Sequence, residues 1–215
     1  MDIKVSPSIL SADFGRLNDD IKTVEEHADY IHVDVMDGHF VPNLTFGAPV
    51  VRCIKSKLPL DVHLMIANPE IYIEDFAKAG ADVLTIHFET VDDLHEILAK
   101  IKENGMRAGV SIKPGTEVKI LEEYLDELDW VLIMSVEPGF GGQGFMDSAI
   151  DKIKWLRERA PELDIAVDGG INDETGRQCA AAGANVLIAG SYIFGAEDRR
   201  EAIDLLKGTE GYDGA

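Results

Sequence analysis

Short apolar runs rich in valine and isoleucine recur along the chain, and amphipathic stretches fill the gaps between them. The runs at 4–8, 30–35, 60–64, 83–87, 107–111, 130–134, 164–167 and 186–189 predict eight β-strands. Many lack a strict polar–apolar alternation, as expected of strands covered on both faces. Between them, Phe14, Leu17, Ile21 and Val24 recur at spacings of three and four and predict a helix over 13–27. Leu94, Ile97, Leu98 and Ile101 do the same for 92–103, and Ile150, Ile153 and Leu156 for 148–158. Gly80, Gly105 and Gly183 stand where helix-terminating glycines belong. The Ala-Gly-Ala triplets at 79–81 and 182–184 predict one helix-to-strand turn used twice.

Eight strand–helix units, at about 11 residues per helix, 5 per strand and 5 per loop, need about 210 residues. The chain has 215. Strict alternation of strand and helix predicts a parallel sheet. Eight repeats favour its closure into a single α/β domain, a (β/α)8 TIM barrel, over an open doubly wound sheet. The expected catalytic domain is 1–207, and the polar, glycine-containing segment 208–215 is an expected flexible tail.

Composition narrows the choice of partners. The chain is 46% hydrophobic, enough for one large core, and its formal net charge is −20. That charge repels nucleic acid and anionic membranes, so neither is expected as a partner. No apolar run approaches the roughly 20 residues of a membrane-spanning helix. The first residues, Met1-Asp2-Ile3-Lys4, lack the basic and then apolar run of a signal peptide, so none is expected. Cys53 and Cys179, in helix-like segments, suggest no disulfide framework and fit a reducing, cytoplasmic setting.

The candidate chemistry lies at the ends of predicted strands. His32 and Asp34 are two residues apart and share one face of the second strand. His63 ends the third strand and Asp168 the seventh. In a barrel of this kind the active site sits at the C-terminal ends of the strands. There the two imidazoles and two carboxylates offer a site for Zn, Fe, Mn or Co, with carboxylates that can also move protons. Glycines cluster after strands six to eight: 137–145 contains Gly139, Phe140, Gly141 and Gly142, then come Gly169-Gly170 and Gly190-Ser191. Such loops let backbone N–H groups approach a phosphate, and a nearby helix N-terminus adds local positive potential despite the acidic surface. The loop 37–46 is long for a strand-to-helix connection, which marks it as functional. Met36, Met65 and Met134, at or just past strand ends, are either core filler or an apolar collar around a reacting carbon. Ser8 either hydrogen-bonds a substrate hydroxyl or is structural. His87 and Lys113 receive no role, and His27, His39 and His95 read as loop or surface residues.

The blocks 6–13, 32–43, 61–65, 134–143 and 167–172 resemble, in order, the signature motifs of the ribulose-phosphate 3-epimerase (pentose-5-phosphate 3-epimerase) family. The similarity runs from about 4 to 207. The resemblance implies a barrel of the ribulose-phosphate-binding type that interconverts D-ribulose 5-phosphate and D-xylulose 5-phosphate with one divalent metal ion per subunit. It implies His32, Asp34, His63 and Asp168 as metal ligands, and Asp34 and Asp168 as the acid–base pair. Ser8, His63 and Asp168 would contact substrate. Gly139, Phe140, Gly141, Gly142, Gly169, Gly170, Gly190 and Ser191 would line the phosphate end, and Met36, Met65 and Met134 would surround the reacting centre. It further implies a phosphosugar substrate, a homo-oligomer and a place in carbohydrate metabolism, in the pentose phosphate pathway. Inversion at C3 beside a C2 carbonyl would pass through an enediolate, with one carboxylate on each face of the flattened carbon skeleton.

Three other readings compete. A related branch acts on allulose 6-phosphate but tends to break the double-glycine pattern that is intact here at 169–170. A metal-independent phosphosugar lyase or decarboxylase would keep the phosphate loops without needing the four-residue cluster. A non-catalytic phosphosugar sensor would bind without exchanging a proton.

Overall fold

The computed structural model describes residues 2–208. The expected tail therefore falls, but for Gly208, outside the described residues. Eight parallel strands follow one another around a ring: β1 (Lys4–Pro7), β2 (Ile31–Met36), β3 (Leu60–Met65), β4 (Val83–His87), β5 (Arg107–Ile112), β6 (Trp130–Met134), β7 (Asp164–Asp168) and β8 (Val186–Ala189). Their order is β1-β8-β7-β6-β5-β4-β3-β2. The seam between β1 and β2 is joined by a bridge at Ser8–His32. Below it, the Asp29 carboxylate accepts the Val5 N–H at 2.8 Å, and the Asp29 N–H donates to the Val5 carbonyl at 2.9 Å. One side chain thus takes the place of a missing ladder rung. The open doubly wound alternative is excluded by the β1–β8 pairing.

The strand-to-strand crossovers carry α1 (Leu17–Lys22), α2 (Ala48–Val51), α3 (Ile73–Ala79), α4 (Leu94–Glu103), α5 (Ser148–Arg159) and α6 (Asp173–Ala182), and α7 (Ser191–Phe194) and α8 (Arg199–Lys207) follow β8. Between β5 and β6 the chain forms only a 3₁₀ segment, Val118–Tyr124. The helix expected over 13–27 is broken up. Asp13 accepts the Gly15 N–H and opens a 3₁₀ turn at Phe14–Arg16, so α-helical geometry begins only at Leu17. It ends where the Thr23 hydroxyl donates to the Asp20 carbonyl, a local bond that competes with helix continuation. Asp93 caps α4 as the 92–103 pattern requires. Gly80 and Gly183 close their helices at φ of 94° and 111°, left-handed values that glycine adopts without strain. Cys179 is buried in α6, whereas exposed Cys53 lies in the turn after α2.

Two apolar bodies hold the barrel. The larger fills the shell between sheet and helices, with Val33, Val62, Leu84, Ile86 and Val110 on the strands against Ile21, Phe76, Leu98 and Leu156 on the helices. The smaller lies inside the ring on the β6–β8 side and contains Trp130, Leu132, Met134, Ala166, Val186 and Ile188. The rest of the lumen is polar: Ser6, His32, Asp61, His63, Thr85, His87 and Ser111 are all fully buried. The ring is thus apolar along one arc and polar along the arc where the candidate ligands stand.

The N-terminal mouth is plugged by Asp164, which accepts from Arg107 at 2.7 Å and Lys4 at 3.0 Å, with Arg107 stacked 5.3 Å from the Trp130 ring. Burial raises the Asp164 carboxyl, but Arg107, Lys4 and Asn185 override it and hold it below its ordinary value. A depressed carboxyl stabilises the fold above its unfolded pKa of about 3.9, and that stabilisation is lost as pH falls through the folded value. Asp164→Asn is expected to cost about 1–2 kcal/mol at pH 7, allowing for the partial exposure of both cations. In urea titrations the gap from wild type should shrink steadily below about pH 4. A gap independent of pH would show that the charge is not what stabilises the plug.

Candidate functional site

The second strand ends with alternate residues His32, Asp34 and Met36 facing the lumen, and the third with Asp61, His63 and Met65. Their register pairs Asp34 with His63 and Met36 with Met65, so parallel pairing alone brings the ligand candidates side by side. Asp168 ends β7 and lies in register with Met134. Ligand atoms of His32, Asp34, His63 and Asp168 all lie within 4.8 Å of one another. Asp34 Oδ1 is 3.2 Å from both His32 Nε2 and His63 Nδ1, and its other oxygen accepts the Ser8 hydroxyl at 2.7 Å.

The charges around this cluster are set by burial and by one another. Burial opposes ionisation of Asp34, but His32 and His63 override it and hold the carboxyl far below its ordinary value. Burial depresses the His32 imidazolium, yet Asp34 and Asp61 override that and raise its pKa well above ordinary. The Asp168 carboxyl is pushed up to about 7, first by burial and then by the charge of Asp34. Two carboxylates and two imidazoles this close suit a divalent cation, whose charge would offset both aspartates in a buried setting. His32 Nδ1 is 2.7 Å from Asp61 Oδ2, so an N–H at Nδ1 is held by that carboxylate and Nε2 is turned toward the cluster. The donor set therefore fits a metal ion.

Above the cluster a cleft of about 420 Å³ is lined by Ser8, Asp34, Asp168, Met36, Met65 and Met134 at its floor. Its rim is formed by Gly139, Phe140, Gly141, Gly142, Gly169, Gly170, Gly190 and Ser191. His32 and His63 lie beneath the floor, fully buried. Met36 and Met65 pack with Val41, Leu10 and Phe40. Every residue singled out in the sequence thus falls in the cleft or directly below it.

Hydroxyls and amides hold the rim in shape. Ser135 Oγ lies 2.8 and 2.6 Å from the carbonyls of Asp168 and Gly169, and Thr175 Oγ1 donates to the Gly170 carbonyl at 2.9 Å. Those carbonyls are therefore engaged away from a ligand. Gln143 Nε2 braces the loop after β6 through the carbonyls of Glu137 and Phe140. The long loop after β2 is tied down at three points. Thr45 Oγ1 donates to the Asp34 carbonyl at 2.8 Å, Asn43 Nδ2 donates to the Gly139 carbonyl at 2.9 Å, and Asp37 accepts the Ala67 N–H at 2.8 Å.

Sequence reasoning missed several of these residues. Asp61 is an inward neighbour of His63 on the same strand, a signal readable from the period of two but not used. His87 was given no role, yet it is fully buried and its Nε2 lies 2.9 Å from His63 Nε2. Its Nδ1 lies 3.1 Å from Glu89 Oε2. Lys113 sits over the Phe40 ring at 3.9 Å, at the edge of the same cluster. Ser135 and Thr175 act through hydroxyls whose partners lie on other elements, and nothing in their local sequence signals that.

Gly170 has φ +63°, and a Cβ there would meet the Phe145 nitrogen at 2.6 Å. Gly170→Ala is expected to push the loop after β6 away from the rim. The effect to look for is a KM for a phosphorylated sugar raised by an order of magnitude or more, with a melting temperature within about 3 °C of wild type. An unchanged KM would remove Gly170 from the binding surface.

The comparisons with known proteins agree with this geometry. Residues 4–194 match the family described as Ribulose-phosphate 3 epimerase family. The ribulose-phosphate 3-epimerase of Bacillus subtilis (strain 168) is 51% identical over 97% of this chain and 100% of its own length. The cytoplasmic isoform of Oryza sativa subsp. japonica is 49% identical over 95% of this chain and 92% of its own. Among solved structures, a 3-hexulose-6-phosphate synthase superposes with a TM-score of 0.70 at 20% identity, covering 97% of this chain and 99% of that one. KGPDC from Streptococcus mutans reaches 0.74 at 15%, covering 97% of each. Identities this low speak to the barrel alone. The chain belongs to the ribulose-phosphate 3-epimerase family.

Proposed function

We propose that this protein is a cation-dependent isomerase that interconverts D-ribulose 5-phosphate and D-xylulose 5-phosphate by inversion at C3, with Asp34 and Asp168 as its proton-transferring pair. The observation that carries the proposal is the convergence of these two carboxyls with His32 and His63 at the floor of a glycine-rimmed cleft. Family membership supplies the reaction, and the cleft supplies roles for the residues.

Inversion needs a proton taken from one face of C3 and one delivered to the other. Asp34 and Asp168 come from β2 and β7, which are separated in the ring by β1 and β8. The environment sets them apart: one carboxyl is strongly ionised and the other holds its proton toward neutral pH. Such a split is how a pair of like groups is divided into acid and base. In this reading His32, His63, Asp34 and Asp168 hold the cation, one of Zn, Fe, Mn or Co. A bound divalent cation supplies electrostatic stabilisation of the negative charge that develops as the C3 proton leaves.

The remaining residues position and shield. Ser8 donates to Asp34 Oδ2 and so orients the carboxylate, while lying close enough to the cleft to meet a substrate hydroxyl. Met36, Met65 and Met134 exclude water without offering a competing proton. The phosphate is held by backbone N–H groups of Gly139, Phe140, Gly141, Gly142, Gly169, Gly170, Gly190 and Ser191, and its remote binding energy fixes C3 between the carboxyls. The working form in this reading is a cytoplasmic homo-oligomer of the pentose phosphate pathway. Among the described residues no helix is long and apolar enough to cross a membrane.

Incubation with D-ribulose 5-phosphate in D₂O is expected to place deuterium at C3 as xylulose 5-phosphate appears. Label at C1 would instead mark an aldose–ketose isomerase and overturn the assignment. Asp34→Asn and Asp168→Asn are each expected to lower kcat by about 10²–10⁴-fold with an unchanged circular dichroism spectrum. Near-normal turnover in either variant would strike that residue from the mechanism.

A further inference from the structure

The structure points to Glu89 and His87 as positioning residues that decide which nitrogen of His63 faces the cation, through a relay from Glu89 to His87 to His63. The inference rests on the cation site proposed above and adds residues that lie outside it.

The argument follows the hydrogens inward. Glu89 Oε1 accepts the Lys113 N–H at 2.8 Å and the Thr116 hydroxyl. A carboxylate held by those donors presents Oε2 as an acceptor to His87 Nδ1, 3.1 Å away. His87 is fully buried, and a neutral imidazole carries one N–H. With that hydrogen at Nδ1, His87 Nε2 is an acceptor. The 2.9 Å contact between His87 Nε2 and His63 Nε2 needs one hydrogen between two nitrogens, and His63 must supply it. His63 Nδ1 is then a bare lone pair, and it is the atom 3.2 Å from Asp34 Oδ1. Two acceptors facing each other in a buried pocket repel, and a cation between them turns repulsion into ligation. Glu89 is held as an anion, with a pKa lowered to about 2. Burial opposes this, but the bonds from His87, Thr116 and Lys113 override it. Phe40, whose ring centre is 4.6 Å from that of His87, covers the relay from the cleft side.

The two ligand histidines are therefore oriented by different devices. His32 is backed directly by a carboxylate, Asp61 at 2.7 Å, and is turned Nε2-first. His63 is backed by a neutral ring that is itself aimed by a carboxylate, and is turned Nδ1-first. The register of β3 with β4 and the 3₁₀ turn Phe88–Thr90 after β4 bring the relay together.

The test uses ¹⁵N-labelled full-length protein loaded with Zn²⁺ and long-range ¹H–¹⁵N correlation spectra of the histidine rings. Wild type is expected to show His63 protonated at Nε2 and ligating through Nδ1, with His87 protonated at Nδ1. Glu89→Gln keeps the shape but turns an amide N–H₂ toward His87 Nδ1. It should move the His87 hydrogen to Nε2, against His63, and raise the Zn²⁺ dissociation constant about 10- to 100-fold in chelator competition. His87 protonated at Nε2 in the wild type overturns the relay, and that spectrum decides the matter even if the variant does not fold. So does a Glu89→Gln affinity within twofold of wild type. A wild-type protein that binds no Zn²⁺ in competition overturns the cation site and the relay together, so the two failures are distinguishable.

Discussion

The arrangement of this molecule turns on one buried carboxylate oxygen, Asp34 Oδ1, placed 3.2 Å from two imidazole nitrogens. An anion in that position is tolerable only if positive charge is fixed beside it, since burying an unpaired charge is far more costly than any single packing contact repays. Without a cation the nearest source is the His32 imidazolium, held protonated by Asp34 and Asp61. With a cation the same atoms become ligands. Either way the surrounding strands must stay in register, because a one-residue slip of β2 or β3 would turn these side chains out of the lumen.

That requirement explains how the core is divided. A barrel usually fills its interior with branched apolar side chains. Here only the arc formed by β6, β7 and β8 does so, while β1 to β5 line the lumen with serine, threonine, histidine and aspartate. The fold compensates on the outside, where the large shell between sheet and helices carries most of the buried apolar surface. The site gains water-poor surroundings in which charges act strongly.

The acidic surface poses a second constraint. A protein of net charge −20 has no general attraction for a phosphosugar. The rim answers with glycine-rich backbone rather than with a cluster of lysines. Ser135 and Thr175 engage the carbonyls at 168–170, so the strand-seven turn presents less negative potential to a ligand. Asn43 ties the loop after β2 to the loop after β6, coupling the wall near the reacting end to the wall near the phosphate end.

Much of this was legible in the residues themselves. Apolar periodicity reflects which faces are buried, so eight strands and their parallel closure followed from spacing. The ligand set followed from motifs at strand ends, where the barrel geometry puts chemistry. Local bonding blurred the boundaries: Asp13 and Thr23 cut the expected helix at 13–27, and Met36, Met65 and Asp168 proved to be the last residues of their strands rather than the first beyond them. What tertiary structure alone decided is who stands behind each ligand. His32 is backed by Asp61 and His63 by His87 and Glu89, partners separated by 29, 24 and 26 positions along the chain. The hydrogen each nitrogen carries depends on contacts that exist only once strands have paired. Periodicity records which side of a strand is buried, but the direction of a hydrogen bond is set by whichever group arrives opposite, and a linear pattern does not encode that.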